Sequence, residues 1–347
     1  MFVGIHASYR PCDATVMAVR SARHFRDLGH SVNYLPRGPA SPVHPEWDAE
    51  VLTAGRPPFQ DWVRKTTPLV LWTEVPPVDR LREVHAAQSA NLLLVDWHAV
   101  EPEDLACYRL FDSIICPSWQ VATFFTDQLK FTNISFVPWD LGVPPSLTTG
   151  EQDGHVRLFW SWWGSQGTRQ SPEAVAVISR VVDACPTILL TVSVSVPTAD
   201  RECLRRLHIL AAKHPTRVTV IKDRNRDRHL LALARHDLLI WPSTRESVGL
   251  CGLEALTAGV PVLAYNYPIA IEVLRHGKNA LLIPCDLRYN GLGVPRVDPK
   301  GYRSFADHLV EVIRTPELVT RLRRHTAMDL DNRRDGFTRA WDMIIPQ

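Results

Sequence analysis

Two carboxylates, Glu246 and Glu254, stand with seven residues between them in the segment HDLLIWPSTRESVGLCGLEALTAGVPVLAY, residues 236–265. Leu238–Trp241 reads as a strand, Pro242–Val248 as a loop and Gly249–Ala258 as a short helix stopped by Gly259. Pro261–Tyr265 reads as the next strand. A helix start leaves backbone N–H groups unpaired and carries partial positive charge. A glycine there lets a ligand approach the backbone. The amides around Val248, Gly249 and Leu250, with Ser247 beside them, therefore form a candidate phosphate cradle. Glu246 lies in the loop before it, and Glu254 lies in the helix body. Both suit ligand hydroxyls, because an ionised carboxylate only accepts hydrogen bonds.

The elements that position such a site repeat along the chain. Short continuous apolar runs recur at MFVGIHA, SVNYLP, PLVLWTE, NLLLVDWHA, SIICPS and ISFVPW. A second set follows at VRLFWSWW, TILLTVSV, VTVIKD, DLLIWPS, PVLAY and ALLIP. Runs of this kind are expected for parallel strands covered on both faces. Amphipathic stretches lie between them; residues 14–28 put Val16, Val19, Ala22, Phe25 and Leu28 near one helical face, with Gly29 as the stop. Strand–helix alternation twice over predicts two doubly wound α/β domains. The Pro-, Ser-, Thr- and Gly-bearing stretch VPPSLTTGEQDG reads as the linker. The expected boundaries are 1–146 and 147–329, with a closing helix at about 330–347 returning to the first domain. Ligands of such sheets bind outside the carboxyl ends of the strands. That singles out Ser8, Glu74, His98, Trp139, Trp162, Lys222, Ser243 and Tyr265. Trp72, Trp97 and Trp163 also fall near strand ends, where aromatic faces stack on sugars and bases.

Composition sets limits. The chain has 347 residues, 45% of them hydrophobic, with 39 basic and 37 acidic side chains. That excludes a disordered tail and a histone-like nucleic-acid coat. Residues 1–146 carry 12 basic and 16 acidic side chains, while 147–347 carry 27 and 21. No apolar run reaches the length of a membrane helix, and the N-terminus lacks a signal-peptide pattern. The 7 cysteines form no CxxC pair. An odd number in apolar contexts points to a reduced, cytoplasmic protein. No His or Cys has metal-ligand spacing, and the one DxD, Asp329 to Asp331, reads as surface, so no metal or other cofactor is expected.

The segment 236–284 resembles the donor-site signature of retaining GT-B glycosyltransferases, especially glycosyltransferase family 4 (group 1). Pro242, Ser243, Glu246, Ser247, Gly249, Leu250, Leu253, Glu254, Ala255, Gly259, Pro261 and Val262 stand in register with it, and Glu272 and Gly277 follow. Val248 replaces the usual Phe, and Ile269–Ala270 stand where a glycine pair is common. The family also carries an Arg and a Lys after the first strand of the donor domain; here Arg169 and Gln170 occupy those places. Lys222 and Arg224 are substitutes for the missing cation. In the first half, the helix ending in Gly29–His30, DSIICPSWQV and ISFVPWDLGV resemble the family's acceptor domain, and FTRAWDMII resembles its closing helix.

The resemblance implies a GT-B architecture, two Rossmann-like domains facing across a cleft, with the nucleotide sugar on the second. It implies metal-independent transfer of a sugar with retention to a hydroxyl of a glycan, lipid carrier or small molecule. Glu246 would hold the sugar and Glu254 the ribose. Arg169, Gln170, Lys222 and the backbone amides would face the diphosphate. His98, catalytic in this reading, would lie near the reacting sugar, with Ser8, Glu74 and Trp97 on the acceptor side. Two alternatives stay open. DNA with hydroxymethylated pyrimidines could be the acceptor, given Arg224, Arg226 and Arg228 and the trio Arg321, Arg323 and Arg324. The protein could also be a catalytically degenerate nucleotide-sugar binder, given Gln170 and the missing glycines.

Overall fold

The computed structural model describes residues 2–7, 13–37, 51, 57–65, 68–139, 154–162, 172–194, 201–222, 226–326 and 330–345. The chain divides into two compact units, Met1–Asp140 with Asn332–Gln347, and Leu141–Asp331.

The first unit holds β1 (Phe2–Ala7), β2 (Ser31–Pro36), β3 (Pro68–Trp72), β4 (Ala90–Leu94), β5 (Ser113–Cys116) and β6 (Ile134–Phe136). They form one parallel sheet in the order β2-β1-β3-β4-β5-β6. The second unit holds β7 (Val156–Trp162), β8 (Ile188–Val194), β9 (Val218–Ile221), β10 (Leu238–Trp241), β11 (Val262–Tyr265) and β12 (Ala280–Ile283). Its parallel sheet runs β12-β11-β10-β7-β8-β9. The twelve strands coincide with the apolar runs of the sequence, β4 starting one residue earlier; the central strands are covered on both faces, whereas edge strands β6 and β9 are only partly buried. Val70, Leu71, Leu239 and Ile240 are wholly buried.

The order of connections creates one crevice per sheet. In the second unit the chain begins at β7, steps outward through β8 and β9, then crosses back to β10. Leu238 of β10 pairs with Leu158 of β7. The connections leave in opposite directions there, which opens a crevice at the carboxyl ends of β7 and β10. In the first unit the corresponding point lies between β1 and β3.

One element escaped the sequence reading. β13 (Leu287–Tyr289) and β14 (Pro295–Val297) form an antiparallel hairpin. Each strand has three residues and no alternating pattern, so periodicity gives no signal. The Asn290 side chain shapes the turn by accepting the Leu292 and Val294 amides at 3.1 and 2.8 Å. The hairpin has a structural consequence: the Val297 amide donates to the Thr244 carbonyl at 3.0 Å, bracing the loop after β10.

The closing helix, Leu330–Ile344, packs on the first unit. Trp341 meets Phe25 edge-on at 5.0 Å, and Phe337 meets Trp139 at 5.4 Å and His24 at 5.3 Å. Trp139, Phe337 and Trp341 are wholly buried. Among the described residues six cysteines are free, and no helix is long and apolar enough to cross a membrane. Replacing Trp341 by Ala leaves a large cavity, so Trp341→Ala is expected to destabilise the first unit by about 3–5 kcal/mol. Denaturant unfolding with tryptophan fluorescence and circular dichroism measures this.

Candidate functional site

At the end of β10, Trp241 organises the segment that carries the chemistry. Its indole N–H donates to Glu246 Oε1 at 3.0 Å. Its ring lies under the start of the helix Leu250–Thr257. A Cβ on Gly252 would come within 2.9 Å of that ring, and one on Gly249 within 2.8 Å of Val273 and 3.0 Å of Ile269. Gly249 also has φ 73°, so it meets both demands that exclude a side chain, left-handed backbone and close approach. Ile269 and Ala270, at the place of the family's glycine pair, are buried, and Ile269 fills the space against Gly249. No side chain caps this helix, so its first amides rely on other partners. Ser247, Val248 and Leu250 are each at most 4% exposed.

Glu246 is 2% exposed. Its amide donates to the Tyr267 hydroxyl at 3.2 Å. That hydroxyl lies 3.1 and 3.3 Å from the carbonyls of Glu246 and Pro295, and its single proton can serve one of them at a time. The loop is thus fastened from below by Trp241 and from the side by Tyr267 and the hairpin. The sequence reading gave neither residue this role. An aromatic residue in an apolar run reads as core, and the polar edge of the ring shows only in three dimensions.

Glu254 departs from the expectation of an open ligand contact. It is 0% exposed, on a helix whose residues are all buried. One carboxylate oxygen lies 3.4 Å from Arg226 and the other 3.4 Å from His229. His229 in turn meets Ser193 Oγ at 3.0 Å and Ser161 Oγ at 3.4 Å, on the carboxyl ends of β8 and β7. Burial pushes the Glu254 carboxyl up, but His229 and Arg226 outweigh it and leave the group below its usual value. Neither carboxylate oxygen receives a well-aligned hydrogen bond among the described residues. The physical reason for the departure is that a carboxylate buried in a largely apolar helix needs polar partners within reach, and the Arg226 guanidinium and the His229 imidazole supply them.

The other candidates scatter. Lys222 is exposed past the end of edge strand β9, two strands from β7. Ser243 Oγ donates to the Arg245 carbonyl, a local turn contact. In the first unit, Trp97 is a correction: it is 3% exposed and packed edge-on to Phe124 at 5.9 Å, so its face is core rather than acceptor surface. Trp72, Trp139 and Trp162 are buried too. His98 is half-buried, in the single turn Trp97–Ala99, with its amide held by Asp96 Oδ1 at 2.9 Å. Glu74 pairs with Arg37 at 2.6 Å. His6, missed in the sequence, sits at the end of β1 against Trp72 (4.9 Å) and Phe59 (6.0 Å). Burial, helped by Arg37, pushes its pKa down to about 4, so it is neutral near pH 7. Ser8, Trp163, Arg169, Gln170 and Arg224 lie outside the described residues. The arginine groups flagged for nucleic acid do not form intact exposed rows. Arg226 is 6% exposed against Glu254, and Arg323 is tied to Asp237 and to the carbonyls of Ala234 and His236.

Two parallel six-stranded α/β units, one with a buried carboxylate loop and an uncapped, glycine-started helix at its switch point, share the GT-B fold of solved glycosyltransferases. Comparison with known proteins agrees. Residues 199–289 match the family described as Glycosyl transferases group 1. A glycosyltransferase from Rickettsia africae ESF-5 has a TM-score of 0.69 at 12% identity, over 99% of this chain and 97% of that one. HepE from Anabaena, solved in complex with UDP and glucose, has a TM-score of 0.67 at 10% identity, over 99% of each chain. The GtfA/B complex gives 0.56 at 14% identity over 80% of this chain, which spans 56% of that one. No curated protein matches the chain in sequence.

The Glu254 cluster gives a direct test. Removing the carboxylate leaves Arg226 and His229 buried without their anion, so Glu254→Ala is expected to destabilise the second unit by about 3–5 kcal/mol. Glu254→Gln, which keeps the volume, should lose less. Thermal and denaturant unfolding of both variants checks the order.

Proposed function

We propose that this protein moves a sugar from a nucleotide-diphosphate sugar to a hydroxyl acceptor with retention and without a metal, in the cytoplasm. The observation that carries the reading is the fixed position of Glu246. It is a buried carboxylate held by Trp241 and Tyr267 in the loop that leads directly into the left-handed Gly249. A carboxylate confined in this way can accept hydroxyls of a sugar whose phosphates sit at the helix start. The HepE structure, with UDP and glucose bound, supports a donor of the UDP-sugar type.

In this reaction the bond from the anomeric carbon to the diphosphate oxygen breaks, and a bond to the acceptor oxygen forms on the same face. The acceptor proton passes to the leaving phosphate oxygen. Negative charge grows on the diphosphate, where Arg169, Gln170 and the amides of Val248, Gly249 and Leu250 stabilise it; Lys222 is a further cation for the same role. Glu246 holds the sugar. Glu254, whose oxygens lack well-aligned hydrogen bonds among the described residues, accepts the ribose hydroxyls. His98 and Glu74 serve the acceptor side. The protein domains in this reading are 1–146 with the closing helix, and 147–329.

Glu246→Gln is expected to lower turnover at least a hundredfold while changing UDP affinity less than threefold, since a contact made mainly in the transition state lowers kcat and kcat/KM together. Hydrolysis of UDP-glucose without acceptor and calorimetry with UDP separate the two effects. A binding protein without turnover would show no hydrolysis in the unmodified chain. Activity is also expected to persist in excess EDTA, and a reversible Mn²⁺ or Mg²⁺ requirement in the same assay would contradict the metal-free reading.

A further inference from the structure

One imidazole joins two strands of the second sheet to the helix that carries Glu254. His229 stands on the helix Arg226–Ala234 and is 0% exposed. Ser161 of β7 and Ser193 of β8 are register partners across the β7–β8 ladder, and both are buried. The imidazole spans that pair. Its Nδ1 lies 3.0 Å from Ser193 Oγ, and its Nε2 lies 3.4 Å from Ser161 Oγ. The same Nε2 lies 3.4 Å from Glu254 Oε2. Phe159, two residues before Ser161 on the same strand, meets the ring edge-on at 5.2 Å. Arg226 faces the other carboxylate oxygen, Oε1, at 3.4 Å.

Lone pairs decide which group donates. A ring nitrogen turned toward a carboxylate must carry the proton, because two lone pairs in that position repel. Nε2 is therefore the N–H side. In the neutral ring Nδ1 is the acceptor, and the Ser193 hydroxyl donates to it. Ser193 thus selects the tautomer, and the tautomer aims the N–H at Ser161 and Glu254. Arg226 brings the charge that keeps Glu254 ionised, whereas His229 brings direction: one contact on each oxygen fixes the plane of the carboxylate. Two serines and a histidine give up hydration to stand in this interior, and the charged group beside which they converge is Glu254. We propose that His229, set by Ser193, is a positioning residue of the nucleotide site. It holds the Glu254 carboxylate in the orientation that accepts ribose hydroxyls, and so sets the preference for a ribonucleoside diphosphate over one that lacks those hydroxyls. This role rests on Glu254 as the ribose ligand.

Calorimetry on the full chain compares UDP with 2′,3′-dideoxy-UDP. The unmodified protein should prefer UDP by about tenfold or more, the effect of hydroxyls donated to a charged group. His229→Phe keeps a ring without an N–H, and should bring that ratio close to one while leaving dideoxy-UDP affinity nearly unchanged. His229→Gln keeps a donor and should recover part of the preference. Ser193→Ala releases the tautomer and should lower the ratio by a smaller factor. In UDP-glucose hydrolysis the His229→Phe loss should appear in KM rather than kcat, because a ribose contact is made equally in the ground and transition states. A role in the fold alone lowers the melting temperature and leaves the ratio where it was, and that result overturns the proposal. If His229→Phe fails to fold, Ser193→Ala decides, and an unchanged ratio in it overturns the proposal. Glu254→Gln is measured beside them. A preference lost in Glu254→Gln but kept in the His229 and Ser193 variants rejects the positioning role alone. No preference in the unmodified protein rejects the ribose reading of Glu254, and the positioning role with it. A preference for UDP without hydrolysis of UDP-glucose rejects the transferase reading alone.

Discussion

The indole of Trp241 sets the geometry on which the second unit's chemistry depends. A tryptophan at the end of a buried strand must bury its ring and still satisfy its N–H. Here the ring spreads beneath the first turn of the following helix, and the N–H reaches up to Glu246. Both consequences restrict the sequence. Gly252 has no room for a side chain above the ring, and Gly249 has none between Ile269 and Val273. The glycines, so often read as a concession to a ligand, are first a concession to this packing. The close approach a phosphate would use is created by the same wedge that fixes the carboxylate.

Glu254 shows the opposite solution. Glu246 is held by neutral donors in a loop, whereas Glu254 is carried into the interior on an apolar helix and compensated by charge. Arg226 and His229 both come from the helix Arg226–Ala234, whose side chains reach under the carboxyl ends of β7 and β8. The compensation is partial. Guanidinium and imidazole at 3.4 Å stabilise the ionised carboxylate without saturating its lone pairs. An acceptor kept ionised but incompletely hydrogen-bonded gains more from ligand hydroxyls than one already satisfied.

The twelve sheet strands were legible because a parallel strand covered on both faces has a local signature, a short unbroken apolar run. The spacing of Glu246 and Glu254 was legible because it is a linear pattern. What stayed hidden depends on long-range partners. Arg226 reads as one member of a basic row until Glu254 is placed beside it. Trp97 reads as a strand-end aromatic until Phe124 covers it. The hairpin at 287–297 is too short for periodicity, yet it braces the loop through Thr244 and touches the Tyr267 hydroxyl through Pro295. Tyr267 itself lies 21 residues from the backbone it fastens, and nothing in its neighbours in sequence announces that role.

The charge division of the chain, negative over residues 1–146 and positive over 147–347, gains a structural meaning from these sites. A bare sum cannot place a patch, and two of the positive charges, Arg226 and Arg323, are paired within the second unit with Glu254 and Asp237. The sum alone therefore overstates the cationic surface that a polyanion would meet. In the first unit Glu74, Asp96 and Asp104 stand around one cavity at the carboxyl ends of β3 and β4. A phosphate backbone brought to that edge would meet carboxylates at close range, where repulsion is screened least. Attraction to DNA comes chiefly from neutralised phosphates, so the carboxylates of this edge weigh against a nucleic acid at that cavity.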